Sequence, residues 1–166
     1  YDEASEHFEK LISKNSKYSY PAAYYDGIIQ YKSKNYSTAL ERFEFIKTSK
    51  TYAESAPVYI CKIYYDQQNY TKALTAVADA LQVPQVKNAN EIYLIGGSSA
   101  YNLKDWAKTI EYYELSAKNT TLNDLASYEL GYALFQNQLY QKAIDYLKTN
   151  ADRKNAYAQH SLYIIA

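Results

Sequence analysis

Residues 131–147 read GYALFQNQLYQKAIDYL, and the spacing inside this stretch decides the fold. Gly131 is followed nine positions on by an aromatic, Tyr140, then by a small residue, Ala143, then by a bulky one, Leu147. Working backwards, the same order recurs as Gly97, Trp106, Thr109, Tyr113, then Cys61, Tyr70, Ala73, Val77, then Gly27, Tyr36, Ala39, Phe43. Tyr1, Ala4 and Phe8 repeat its second half. The steps between the aromatics are 35, 34, 36 and 34 residues. A period of about 34 with this order predicts stacked helical hairpins, an all-α solenoid.

The pattern has a packing cause. Two antiparallel helices approach closely only where one of them offers little side chain, and a large residue on the other fills the gap beside it. Glycine inside a helix costs about 1 kcal/mol relative to alanine. Its recurrence at one register position therefore marks a crossing. Helices are predicted over 2–14, 20–34, 36–48, 53–67, 70–82, 89–103, 106–118, 122–137, 140–149 and 155–166, joined by short polar turns such as Lys34-Asn35 and Gln68-Asn69. Pro21 belongs in a first helical turn, where its missing N–H is not needed, and Pro57 moves its helix start to about Ser55.

These residues resemble the tetratricopeptide repeat (TPR) family, a helix–turn–helix unit of about 34 residues. The resemblance covers the whole chain. It divides 1–166 into a half-repeat at 1–19, repeats at about 20–53, 54–89, 90–123 and 124–157, and a half-repeat at 158–166. It implies a right-handed superhelix of hairpins. Ile46 and Asn150, where the family has a small residue, and Thr109, where it has alanine, are departures that predict looser local packing.

Composition narrows the function. Lys and Arg number 18, as do Asp and Glu, so no basic stripe is available to neutralise nucleic-acid phosphates. No apolar run has the length of a bilayer span, and no signal peptide is visible. The chain lacks methionine, opens on the aromatic of a second helix and stops within a first helix, which reads as a piece of a longer protein. Its Asn, Lys, Tyr and Ile content points to an AT-rich bacterial genome and is similar to that of long repeat proteins of bacterial envelopes, favouring periplasm or envelope over cytoplasm.

No catalytic constellation emerges. His7 and His160 lie at opposite ends, the glycines are explained by helix crossings, and no Cys or His pair has zinc spacing. Lone Cys61 reads as a buried small residue. Acids such as Asp2, Glu3, Glu41 and Glu44 read as solvated surface. Asn35, Asn69 and Asn119 each begin a sequon, and the first two arise from the repeat's own turn and carry no weight. No cofactor or metal is implied.

The resemblance further implies that the first helix of each hairpin lines a concave groove. Carried over residue by residue, the groove residues are Tyr24, Ile28 and Tyr31, then Lys62 and Tyr65, then Ser98 and Tyr101, then Tyr128, Tyr132 and Phe135. An aromatic recurs at one place in each repeat: Tyr31, Tyr65, Tyr101 and Phe135. Tyrosine combines contact area, low rotamer entropy and a polar tip, which suits an adaptable binding surface, though such rings also pack between hairpins. The run Gly96, Gly97, Ser98, Ser99, Ala100 packs tightly on its neighbours or opens a hollow on that face. Relatives that clamp a chaperone's C-terminal carboxylate use Lys and Asn where this chain has Tyr24 and Ile28, Val58 and Lys62, Leu94 and Ser98, and Tyr128 and Tyr132, so that clamp is missing.

The sequence thus predicts a non-enzymatic scaffold that binds a protein or peptide in an aromatic-lined groove. The rivals are a structural spacer with an empty groove, or a small-ligand or glycan-binding module. The uncapped ends, with Phe8, Leu11 and Ile12 at one and Leu162, Tyr163, Ile164 and Ile165 at the other, predict end-to-end self-association.

Overall fold

The computed structural model describes residues 2–14 and 16–166, with side chains from Ser5 onward. The Tyr1/Ala4 pair and the side chains of Asp2 and Glu3 lie outside the described residues. The secondary structure is all-helical: α1 Asp2–Ser13, α2 Ser19–Lys32, α3 Tyr36–Ile46, α4 Ala56–Asp66, α5 Tyr70–Ala80, α6 Ala89–Asn102, α7 Trp106–Ala117, α8 Asp124–Gln136, α9 Tyr140–Arg153 and α10 Ala158–Ile165. The chain forms two compact units. The N-terminal unit runs up to Asn69 and includes Thr75–Ala89; the C-terminal unit comprises Tyr70–Leu74 and Asn90–Ala166. In the first, α1 packs on α2, α2 on α3 and α3 on α4; in the second, α7 packs on α8, α8 on α9 and α9 on α10. This sequential packing is that of an α-solenoid of helical hairpins.

The turns inside the hairpins are one structure repeated four times. Lys34, Gln68, Lys104 and Gln138 adopt the left-handed conformation, with φ of 61°, 55°, 59° and 61°. The next residue's N–H reaches back to the helix: Asn35 to the Gln30 carbonyl, Asn69 to Tyr64, Asp105 to Ala100 and Leu139 to Leu134, at 2.8–2.9 Å. These bonds satisfy carbonyls that a helix end leaves unpaired. At helix starts, Asp105 accepts from the Lys108 N–H at 3.2 Å and Asn123 from the Ala126 N–H at 2.9 Å. Pro57 lies in the first turn of α4, directly after the expected boundary at Ser55.

The crossings are as the pattern requires. Gly27, Cys61, Gly97 and Gly131 are all buried. An ideal Cβ on Gly27 would lie 3.0 Å from the Phe43 ring, one on Gly97 2.6 Å from the Tyr113 ring, and one on Gly131 2.7 Å from Leu147 Cγ. Each of these three glycines thus lies against the bulky residue sixteen positions later in its own hairpin.

Two expectations need correction. Looser packing does not follow from the departures: Ile46, Thr109 and Asn150 are each 0% exposed. The Thr109 hydroxyl donates to the Asp105 carbonyl at 2.9 Å. Asn150, with its amide turned to satisfy both ends, accepts from the Tyr128 N–H at 3.1 Å and donates to the Asp124 carbonyl at 3.3 Å. The same bonds explain why α9 continues to Arg153 and does not stop at 149. An asparagine engaged with a neighbouring helix no longer competes for its own backbone, and the helix ends instead at left-handed Lys154.

Candidate protein-binding face

In the N-terminal unit the expected residues come from α2 and α4. Tyr24, Ile28 and Tyr31 are half-buried on α2, as are Lys62 and Tyr65 on α4. Val58, which the resemblance set on the same face, is fully buried in the core. The α2 rings meet α4 through Tyr59, whose centroid lies 6.2 Å from that of Tyr24 and 6.1 Å from that of Tyr31. The Tyr31 hydroxyl donates to Asp66 Oδ2 at 2.7 Å, fixing the ring across the two helices. The Lys62 ammonium sits 5.3 Å over the Tyr59 ring.

In the C-terminal unit the residues come from α6 and α8, and α10 joins them. Tyr101, Trp106 and Tyr132 form a triangle of edge-on rings with centroids 5.7–5.8 Å apart. Tyr132 leads to Tyr128 at 6.3 Å, and Tyr128 stacks on Tyr157 at 5.0 Å. The Tyr128 hydroxyl is hydrogen-bonded to His160 Nδ1. Burial, with a hydrogen bond to Tyr128, raises the Tyr101 hydroxyl above its ordinary pKa; burial also raises those of Tyr24 and Tyr128. These phenols stay neutral and offer hydrogen-bonding tips. Phe135 is half-buried and lines an apolar cavity of about 280 Å³ with Tyr140, Ile144 and Ile165.

Of the two readings of the run around Ser98, tight packing is the one its burial supports. Ser98 is 5% exposed, and its hydroxyl donates to Glu129 Oε1 at 3.3 Å. The run Gly96–Ala100 is buried throughout, so these small residues serve packing.

Two carboxylates escaped the sequence reading. Asp26 and Glu129 are buried at 1% and 4% exposure, whereas Glu41 and Glu44 are exposed as expected. Asp26 faces Arg42 Nε at 2.8 Å, and Arg42 also contacts Glu9. Glu129 receives the hydroxyls of Tyr113 and Ser98. The aromatic partners Tyr59, Tyr157 and His160 were also missed. One signal was available: Tyr59 and Glu129 each follow the bulky residue of the preceding repeat by sixteen positions. Cys61 is fully buried, and its thiol is pushed up to about 12 by burial.

The tetratricopeptide repeat family matches residues 115–157, from the last turn of α7 through α8 and α9. That match and the hairpin architecture fit a TPR-like repeat protein. Repeats of this kind generally mediate protein–protein interaction, and the fold is typically a non-enzymatic scaffold. No curated protein matches the chain. Among the described residues no helix is long and apolar enough to cross a membrane, and no group of three or more His, Cys, Asp or Glu side chains is placed to hold a metal ion.

Proposed function

We propose that this chain is a scaffold, built from repeats at about 20–53, 54–89, 90–123 and 124–157, that binds a peptide or protein segment on the aromatic side of its first helices. The observation carrying this reading is that rings on successive first helices touch one another, Tyr31 with Tyr59 and Tyr101 with Tyr132, while remaining partly exposed. Such rings supply rigid contact area that needs little ordering on binding. Tyr24, Ile28, Tyr31, Lys62 and Tyr65 form the proposed surface in one unit, and Tyr101, Tyr132 and Phe135 in the other, where Tyr128 is itself buried at 8% exposure.

The test is selection of peptides from a displayed library on the intact chain, followed by titration against Tyr31→Ala and Tyr101→Ala. Loss of about 2 kcal/mol of binding free energy with little change in thermal stability is expected for anchor residues. Large loss of stability with unchanged affinity would mean that the rings are packing elements alone. Failure to select any peptide would favour the spacer, and enrichment on a glycan array would favour sugar stacking. End-to-end association through exposed Leu162 and Tyr163 is a second proposal; a light-scattering mass that stays monomeric at high concentration would count against it.

A further inference from the structure

Glu129 is the one buried acid here whose bonded partners, among the described residues, are hydroxyls alone. Buried Asp26 faces a guanidinium. The Glu129 carboxyl lies where three helices meet: Ser98 comes from α6, Tyr113 from α7, and Glu129 itself from α8. A buried carboxylate without a cation is costly, whereas a neutral carboxyl can donate to one hydroxyl and accept from the other.

The other ionisable groups here give it no counter-charge. Tyr101 on α6 and Tyr128 on α8 are phenols kept neutral by burial, and a charge on Glu129 raises both further. Tyr132 on α8 is also a phenol. Lys108 of α7 pairs with Asp105, Lys142 of α9 with Glu114, and Arg153 of α9 with Asp124. Glu111 on α7 is exposed, and Glu91 begins α6 two turns before Ser98.

We propose that Glu129 is a proton-operated latch: the junction of α6, α7 and α8 accepts the neutral acid and loosens when its proton leaves. Burial raises the pKa above the ordinary glutamate value of 4.5, against the opposing pull of the Tyr113 and Ser98 hydrogen bonds. For an acid whose folded pKa is raised, the stabilising contribution is complete below the unfolded value. It is lost as pH rises through the folded value. The latch therefore holds on the acid side and weakens toward neutral and alkaline pH. Because Ser98 and Tyr101 adjoin it, the aromatic face of this unit is coupled to the same proton.

Glu129→Gln keeps the shape, one acceptor for Tyr113 and one donor for Ser98. Thermal melts of wild type and Glu129→Gln should diverge with pH, the variant gaining on wild type as pH rises above the ordinary glutamate value of 4.5. A carboxyl-carbon NMR titration of the wild-type chain gives the same answer without relying on the variant to fold. A Glu129 midpoint well above 4.5 is expected. A midpoint at or below 4.5, or a melting difference that does not change with pH, overturns the latch.

Discussion

Phe43 and Tyr113 occupy the same place in their repeats, yet what covers them differs. Each ring presses on a glycine of its own hairpin, Gly27 or Gly97, and each is met sixteen residues later by a side chain from the following first helix. Over Phe43 that side chain is Tyr59, stacked at 4.6 Å with the rings 4° from parallel. At Tyr113 it is Glu129, hydrogen-bonded to the phenol. The N-terminal junction is thus apolar, and its buried acid is offset by Arg42 elsewhere. The C-terminal junction places an acid directly in the contact. Close approach of glycine and ring fixes where the helices sit, while the covering residue decides whether the contact responds to protons.

The largest effect should come from breaking the apolar junction. Phe43→Ala removes a ring that is 0% exposed and should cost about 3–5 kcal/mol in urea unfolding, equally at acid and alkaline pH. A pH-dependent loss would mean that this junction is not the neutral counterpart it looks to be.

Next come the glycines. A methyl on Gly97 meets the Tyr113 ring at 2.6 Å, so Gly97→Ala should cost about 2 kcal/mol through overpacking. On Gly27 it meets Phe43 at 3.0 Å, and the roughly 1 kcal/mol gain in helix propensity should leave Gly27→Ala close to neutral. Equal penalties in denaturant unfolding would show that the two crossings are equally tight.

Smaller still is the hydroxyl. Tyr113→Phe removes one donor to Glu129. It should cost about 0.5–1.5 kcal/mol at acid pH, where the bond joins neutral groups, and about 1.5–3 at alkaline pH, where the acceptor is charged. A cost that stays constant from acid to alkaline pH would weaken the distinction between the junctions.

The smallest change probes what both units share. Lys34 and Lys104 hold the left-handed turn conformation that glycine adopts without strain. Lys34→Gly and Lys104→Gly should each raise stability by about 0.5–1 kcal/mol, by similar amounts. Unequal gains in matched melts would reveal a difference in the hairpin turns that the backbone does not show.

Much of the fold was legible because helix crossings recur. Gly131 and Leu147 announce each other at a fixed spacing, and that spacing is a contact. The candidate face was legible only in part. Tyr31, Tyr101 and Trp106 were visible as periodic aromatics, but Tyr59 was not, nor were the contacts of Tyr31 with Tyr59 and of Tyr101 with Trp106, since each pair joins residues at different places in the repeat. Around Ser98 the sequence left packing and a hollow both open, because small residues look alike whether they make room for solvent or for Glu129.

The sequence by itself determined the helical hairpins, their turns and the register of small against bulky residues. These follow from local periodicity and from sterics within one hairpin, which the order of residues records directly. Only the tertiary structure decided that Asn150 ties α9 to α8, that Asp26 meets Arg42, and that Glu129 is enclosed by two hydroxyls. A polar residue's role depends on which groups share its burial, and those groups come from other helices at separations no single period encodes.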